Sequence, residues 1–171
     1  MNVLRRNIAA ILLLAVFTGA AAYFAARPHV GQPKEEFFTV LTLPLTRYDG
    51  TVVRLTTLAP KPLVAYVWAS WCPYCQEGFR QLSAARERHP GVAFVAINRA
   101  EPMLDAKGFT DKIGLPNGIL YLLDPSDSFY KMVGGFAMPE YLFVDSQKEV
   151  VAHVRGPLTE EELEQMLARI E

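Results

Sequence analysis

The sequence predicts an α/β domain in which a central mixed sheet is flanked by helices. Two all-apolar runs, Leu63–Trp68 and Val92–Ile97, have the composition of strands buried on both faces, and a helix-compatible segment lies between them. Strand, helix and strand in that order make a right-handed parallel crossover. Further on, Glu140–Val144 and Val150–Val154 flank a polar turn at Ser146-Gln147-Lys148 and read as an antiparallel pair, which makes the sheet mixed. The chain has 171 residues, 51% of them hydrophobic, enough for one domain with a substantial core. Its net charge of -1, with no polybasic patch, gives no reason to expect nucleic acid as a partner.

Taken in order, the chain opens with Arg5 and Arg6, then an uncharged apolar run, Ile8–Ala26, closed by Arg27. As a helix this run would span about 28 Å, close to the thickness of a hydrocarbon core. The arginines before it place the N-terminus in the cytoplasm and everything after Arg27 on the outer side, in an oxidising compartment. A cleaved signal segment with an A-x-A site at Ala20-Ala21-Ala22 is the rival reading, and the length of the run favours a retained anchor. Residues 1–27 are thus an anchor or signal, 28–36 a tether rich in Pro, Gly and charge, and 37–171 the folded domain.

Within that domain, Phe37–Leu43 is rich in β-formers, and the Asp49-Gly50 turn signal before Val52–Leu55 predicts an N-terminal β-hairpin. The strand Leu63–Trp68 leads into a helix from Pro73 to about Arg88, on which Cys75, Phe79 and Leu82 share a face; His89-Pro90-Gly91 ends it. Glu101–Ile113 predicts a second helix, Ile119–Leu123 a strand, and Asp124-Pro125-Ser126 the start of a short helix reaching Met132. Thr159 and Glu162 form a capping box for a terminal amphipathic helix that buries Leu163, Met166, Leu167 and Ile170.

The chemistry sits between the first strand and its helix. Trp71-Cys72-Pro73-Tyr74-Cys75 holds the chain's two cysteines. Two thiols at this spacing close a small disulfide reversibly, and a cysteine at a helix start has its thiolate stabilised by unpaired backbone N–H groups and the helix dipole. A structural zinc site normally needs four ligands; there is no second cysteine pair, and His29, His89 and His153 show no ligand spacing. A purely structural disulfide would close too short a loop to remove much unfolded-state entropy. No metal or cofactor is therefore expected.

From Phe37 to its end the chain resembles the thioredoxin superfamily, specifically the exported TlpA/ResA/DsbE-like thiol-disulfide oxidoreductases. The resemblance is carried by the Arg47-Tyr48-Asp49-Gly50 hairpin, the run Trp68-Ala69-Ser70-Trp71-Cys72-Pro73-Tyr74-Cys75, Leu122-Leu123-Asp124-Pro125, and Gly135-Phe136-Ala137-Met138-Pro139-Glu140-Tyr141-Leu142-Phe143-Val144-Asp145. It implies a thioredoxin-like fold, an exposed attacking Cys72 at the helix N-cap, and a more buried resolving Cys75. It also implies a cis-proline at Pro139, and a substrate-binding surface formed by Trp71, Pro73, Tyr74, Met138 and Pro139. The implied partners are exported protein thiols or disulfides, such as those of apocytochrome c, and a membrane protein that supplies or takes electrons.

The match has departures. Thioredoxin carries a buried aspartate six residues before the first cysteine, where this chain has Tyr66, and many exported relatives carry a glutamate three residues after the second, where it has Gly78. Glu77 lies about 200° around the helix from Cys75 and is expected to face solvent. Trp68 is expected in the core, and His153, alternating with Val151 and Arg155, on a solvent-facing strand position. The alternatives to an oxidoreductase are a thioredoxin-fold copper metallochaperone using the cysteines with His153, or a redox-inert binding domain.

Overall fold

The computed structural model describes residues 34–58, 60–114 and 117–171. The expected membrane anchor and most of the tether lie outside the described residues, and among the described residues no helix is long and apolar enough to cross a membrane.

Seven strands form one sheet in the order β2-β1-β5-β4-β3-β6-β7. They are β1 (Leu45–Arg47), β2 (Val52–Val53), β3 (Leu63–Trp68), β4 (Ala93–Arg99), β5 (Ile119–Asp124), β6 (Glu140–Val144) and β7 (Val150–Arg155). The central pairs β3/β4 and β4/β5 are parallel, whereas β6 joins β3, β7 joins β6 and β1 joins β5 antiparallel, the mixed arrangement expected of the fold. Among the described residues five α-helices accompany the sheet: α1 (Lys34–Leu41), α2 (Cys75–Arg88), α3 (Met103–Ile113), α4 (Ser128–Met132) and α5 (Glu160–Leu167).

All six residues of β3 are buried, and alternation sends them to two cores. Val64, Tyr66 and Trp68 face a cluster that includes Cys75, Phe79 and Leu82 of α2 and Leu163 and Leu167 of α5. Leu63, Ala65 and Val67 face a second cluster with Val40, Leu41, Phe129 and Tyr130. Each large apolar side chain so buried contributes roughly 1.5–3 kcal/mol, and the sheet is held from both sides. Trp68 is fully buried, as expected, edge-on to Phe79 with ring centroids 5.0 Å apart.

The hairpin is present, with Gly50 at φ +85° and the Asp49 side chain accepting from the Thr51 amide at 2.9 Å. Its first strand is not where the β-forming composition placed it. Residues 34–41 are helical, so the helix begins inside the segment read as tether and replaces the expected strand at Phe37–Leu43. Burial of the adjacent Val40 and Leu41 in the second core, with Phe38 left exposed, decides the conformation over local propensity. At the other end, α5 carries the expected capping box, with Glu162 N donating to Thr159 Oγ1 at 3.2 Å and Thr159 N to Glu162 Oε2 at 2.8 Å.

Candidate active site

Cys72 and Cys75 are joined in a disulfide with Cα atoms 5.4 Å apart. The backbone leaves the end of β3 at Trp68 and turns through Ala69–Tyr74. The Cys72 amide donates to the Ala69 carbonyl at 3.1 Å, and the Cys75 amide to the Cys72 carbonyl at 3.2 Å. Helix α2 starts at Cys75 with Tyr74 as its N-cap, so Cys72 lies three residues before the helix rather than at its cap. Nor is Cys72 exposed: it is 3% accessible against 0% for Cys75. The tight turn tucks both sulfurs beneath a rim in which Trp71 is 62% and Tyr74 58% exposed, with Pro73 exposed between them. The outer face of α2 borders a groove of about 700 Å³ that runs from Pro73 past Glu77 and Arg80 to Ile113.

The Met138–Pro139 peptide bond is cis, and Pro139 is buried. Strand β6 pairs with β3 in a register that sets Glu140 opposite Val67, which brings Pro139 beside the end of β3 from which the cysteine turn departs. The structure thus gathers Trp71, Pro73, Tyr74, Met138 and Pro139 from two distant segments at one end of the sheet. Met138 is partly buried and touches both cores.

Two buried acids brace this end, and neither stood out in the sequence as a site residue. Glu101 accepts from the Ser70 amide at 2.7 Å, the Ser70 hydroxyl at 2.5 Å and the Asn98 side chain at 2.5 Å, tying the turn before Cys72 to the end of β4. Glu140, wholly buried, accepts from the amides of Phe136 and Ala137 at 2.8 and 3.0 Å through one oxygen and meets His153 Nε2 at 2.8 Å through the other. Burial pushes its carboxyl upward, but His153 and those two amides outweigh it and hold the group below the usual carboxylate range. His153 is therefore not solvent-facing; its side chain is 8% exposed, because Glu140 on the adjoining strand turns it inward. Readable hints were an acid before proline at a strand end, Glu101-Pro102, and an acid heading the otherwise apolar strand after Pro139.

The proline loop is held on its other side as well. Tyr130 Oη donates to the Ala137 carbonyl at 3.0 Å, and its ring carries the Arg99 guanidinium at 3.7 Å, itself paired with Asp127 at 2.6 Å. Arg155 Nη2 donates to the Gly134 carbonyl at 3.1 Å. Phe136 at the tip of this loop remains 80% exposed.

Glu77 faces outward as expected, bonded to Arg80, whose guanidinium lowers its carboxyl. Among the described residues no group of three or more His, Cys, Asp or Glu is placed to hold a metal ion. His153, the third ligand a copper site would need, is engaged by Glu140.

Residues 30–168 match the Redoxin family model. The thiol-disulfide oxidoreductase ResA of Geobacillus thermodenitrificans is 27% identical over 174 residues, covering 96% of this chain and 94% of its own. The thiol:disulfide interchange protein DsbE of Allochromatium vinosum is 27% identical over 147 residues, covering 83% and 77%. Among solved structures, MTB DsbF in mixed oxidised and reduced forms superposes with a TM-score of 0.70 at 27% identity, covering 77% of this chain and 97% of its own. With its thioredoxin-like sheet and CxxC disulfide, the chain belongs to the redoxin family and is a thioredoxin-like oxidoreductase.

Proposed function

We propose that the protein is an extracytoplasmic reductase of disulfides in exported proteins, apocytochrome c among them, working through Cys72 and Cys75. The observation that carries this reading is a Cys72–Cys75 disulfide set at a strand end beside a cis Met138–Pro139 bond and ringed by exposed Trp71 and Tyr74. The rim supplies apolar contact for an extended substrate segment, and Pro139 brings no N–H to compete with it. The apolar run Ile8–Ala26 behind Arg5 and Arg6 supports placement outside the cytoplasm, with the run as anchor.

In the reducing direction, the Cys72 thiolate attacks one sulfur of the substrate disulfide, forming a mixed disulfide and expelling the other sulfur, which takes up a proton. Cys75 then gives up its proton, attacks Cys72 Sγ and releases the second substrate sulfur as a thiol. Two electrons pass to the substrate and leave the Cys72–Cys75 disulfide, which a membrane electron donor must reduce again. Cys75 suits the resolving role because it lies on the face of α2 that also buries Phe79 and Leu82.

The test is Cys75→Ser in the full chain, with redox titration of the wild type against glutathione or dithiothreitol buffers. The variant accumulates mixed disulfides through Cys72, and the wild-type couple lies below the glutathione potential. Absence of any trapped exported protein refutes the assignment, and a couple well above the glutathione potential reverses its direction.

A further inference from the structure

Two phenols form the floor beneath Cys75. Tyr66 and Tyr141 are register partners on β3 and β6, with ring centroids 4.9 Å apart, and both point to the α2 side of the sheet. Tyr66 Oη donates to the Cys75 carbonyl at 2.9 Å. Tyr141 Oη is buried without a hydrogen bond of full geometry, although the Leu158 backbone lies near enough to offset part of its desolvation. One turn into α2, Gly78 rests directly on both. A Cβ built there would overlap the Tyr66 hydroxyl oxygen, lie 2.8 Å from Tyr66 Cζ and 3.0 Å from Tyr141 Oη. The phenols therefore fill the space that a side chain at position 78 would need.

Among the described residues, the carboxylates of Glu77, Glu101 and Glu140 each have other partners, although the Glu77 charge still acts on Tyr141. Glu77, on α2 itself, is solvent-exposed and bonded to Arg80. Glu101 is filled by Ser70 and Asn98, and Glu140 by the Phe136 and Ala137 amides and His153 on the far face of the sheet. Burial raises the pKa of both phenols, Tyr66 well above its ordinary value, and the Glu77 charge adds to the rise at Tyr141, so each stays protonated near neutral pH.

We propose that this floor is base-free: Tyr66 is a positioning residue that fixes the first turn of α2 through the Cys75 carbonyl, and the proton of the resolving Cys75 thiol leaves with the departing substrate sulfur rather than through a buried carboxylate. The atoms balance. The Cys75 S–H bond and the substrate–Cys72 S–S bond break, the Cys72–Cys75 S–S bond forms, and the proton ends on the released alkyl thiolate, which is basic enough to hold it. The proposal rests on the oxidoreductase reading above, with Cys75 as the resolving thiol.

It is tested with the full chain, reduced, then given glutathione disulfide, following intramolecular release of the second glutathione from pH 5 to 9. The wild type shows no inflection from an enzyme carboxylate. Tyr66→Phe keeps the shape of the profile but releases glutathione about fivefold more slowly, the rate equivalent of one neutral hydrogen bond. Tyr66→Asp, which sets a carboxylate in the vacated space, gains a new inflection in the range of a buried acid. Should Tyr66→Asp fail to fold, the wild-type and Tyr66→Phe profiles decide alone. A wild-type inflection in the carboxylate range, or Tyr66→Phe releasing at the wild-type rate, overturns the proposal. Failure of Cys75→Ser to hold glutathione on Cys72 refutes instead the oxidoreductase reading beneath it.

Discussion

Removing the carboxylate of Glu140 is expected to cost a large share of the stability of the domain. Its side chain is wholly buried and receives three donors: the Phe136 and Ala137 amides at 2.8 and 3.0 Å and His153 Nε2 at 2.8 Å. A buried donor left without a partner costs about 1–3 kcal/mol. Phe136 is exposed and its amide can recruit water, so the Ala137 and His153 groups bear most of the penalty. Glu140→Ala should therefore lose about 3–5 kcal/mol, two hydrogen bonds to a charged acceptor at about 1.5–3 kcal/mol each. Against a total stability of about 5–15 kcal/mol this leaves a weakened but folded domain. Glu140→Gln keeps an acceptor for both amides and should lose only about 1–2 kcal/mol. The assay is urea unfolding of the oxidised protein followed by tryptophan fluorescence, where a slope of about 1–3 kcal/mol/M turns the alanine penalty into a midpoint shift of about 2 M. The folded-state pKa of Glu140 is depressed, so its contribution is complete above the unfolded value of about 4.3 and is lost as pH falls through the lower folded value. A loss below about 1 kcal/mol in Glu140→Ala, or a wild-type advantage over Glu140→Gln that grows as pH drops, would refute the reasoning.

Glu101→Ala strands the Ser70 amide and hydroxyl and the Asn98 side chain; it should cost about 2–3 kcal/mol in urea unfolding and slow oxidation by glutathione disulfide. Gly78→Ala gains about 1 kcal/mol of helix propensity but presses on Tyr66, so a net loss of about 1–2 kcal/mol is expected. Adding Tyr66→Phe removes the overlapped oxygen but leaves the ring carbon 2.8 Å away, so a double-mutant cycle should return a coupling of about 0.5–1 kcal/mol; a coupling of zero counts against the contact. Burial lowers the pKa of His89, but Glu164 and Glu171 together raise it above its ordinary value. Its pairing of α2 with the C-terminus is complete below pH about 6.5 and is lost as pH rises through the folded value. The unfolding midpoint of wild type relative to His89→Asn should decline over that window, and a flat difference would contradict the pairing.

What the sequence disclosed and what it hid divide along a physical line. Local patterns carried through: the apolar runs of β3 and β4, the Asp49-Gly50 turn and the Thr159/Glu162 capping box are set within a few residues of chain, and the structure has them. The cis bond before Pro139 was legible only through the resemblance, since a proline by itself favours trans. Long-range partnerships stayed hidden. Glu101 meets Ser70 across 31 residues, and His153 meets Glu140 only because β7 folds back on β6. Alternation along β7 was read as an open face, but it cannot reveal that Glu140 heads the adjoining strand and draws His153 in. The β-forming side chains from Phe37 to Leu41 became part of the helix at 34–41 because Val40 and Leu41 reach the second core that way, and tertiary burial outweighed propensity. The resemblance implied an exposed Cys72 at the helix N-cap. The turn that carries it, held by Ala69 and leading to a helix that starts only at Cys75, sinks it beneath Trp71 and Tyr74 instead.

These hidden partnerships bear on the gap the sequence left at the proton acceptor. One carboxylate holds the turn before Cys72 and another the loop before Pro139, and both have their oxygens engaged by backbone and side-chain donors. An acid so occupied is a brace: protonating it would strand those donors in the interior, which is why Glu140 resists protonation in spite of its burial. The space beneath Cys75 belongs to Tyr66 and Tyr141, and Gly78 is the residue that lets the helix rest on them. The substitutions at positions 66 and 78 are thus one packing solution. Exchanging Tyr66 for a carboxylate would leave a void under α2, and a side chain at position 78 would have no room while Tyr66 stands. The dithiol site keeps its geometry through the two acids that hold its turns, and its reactivity must come from the sulfurs and the substrate they meet.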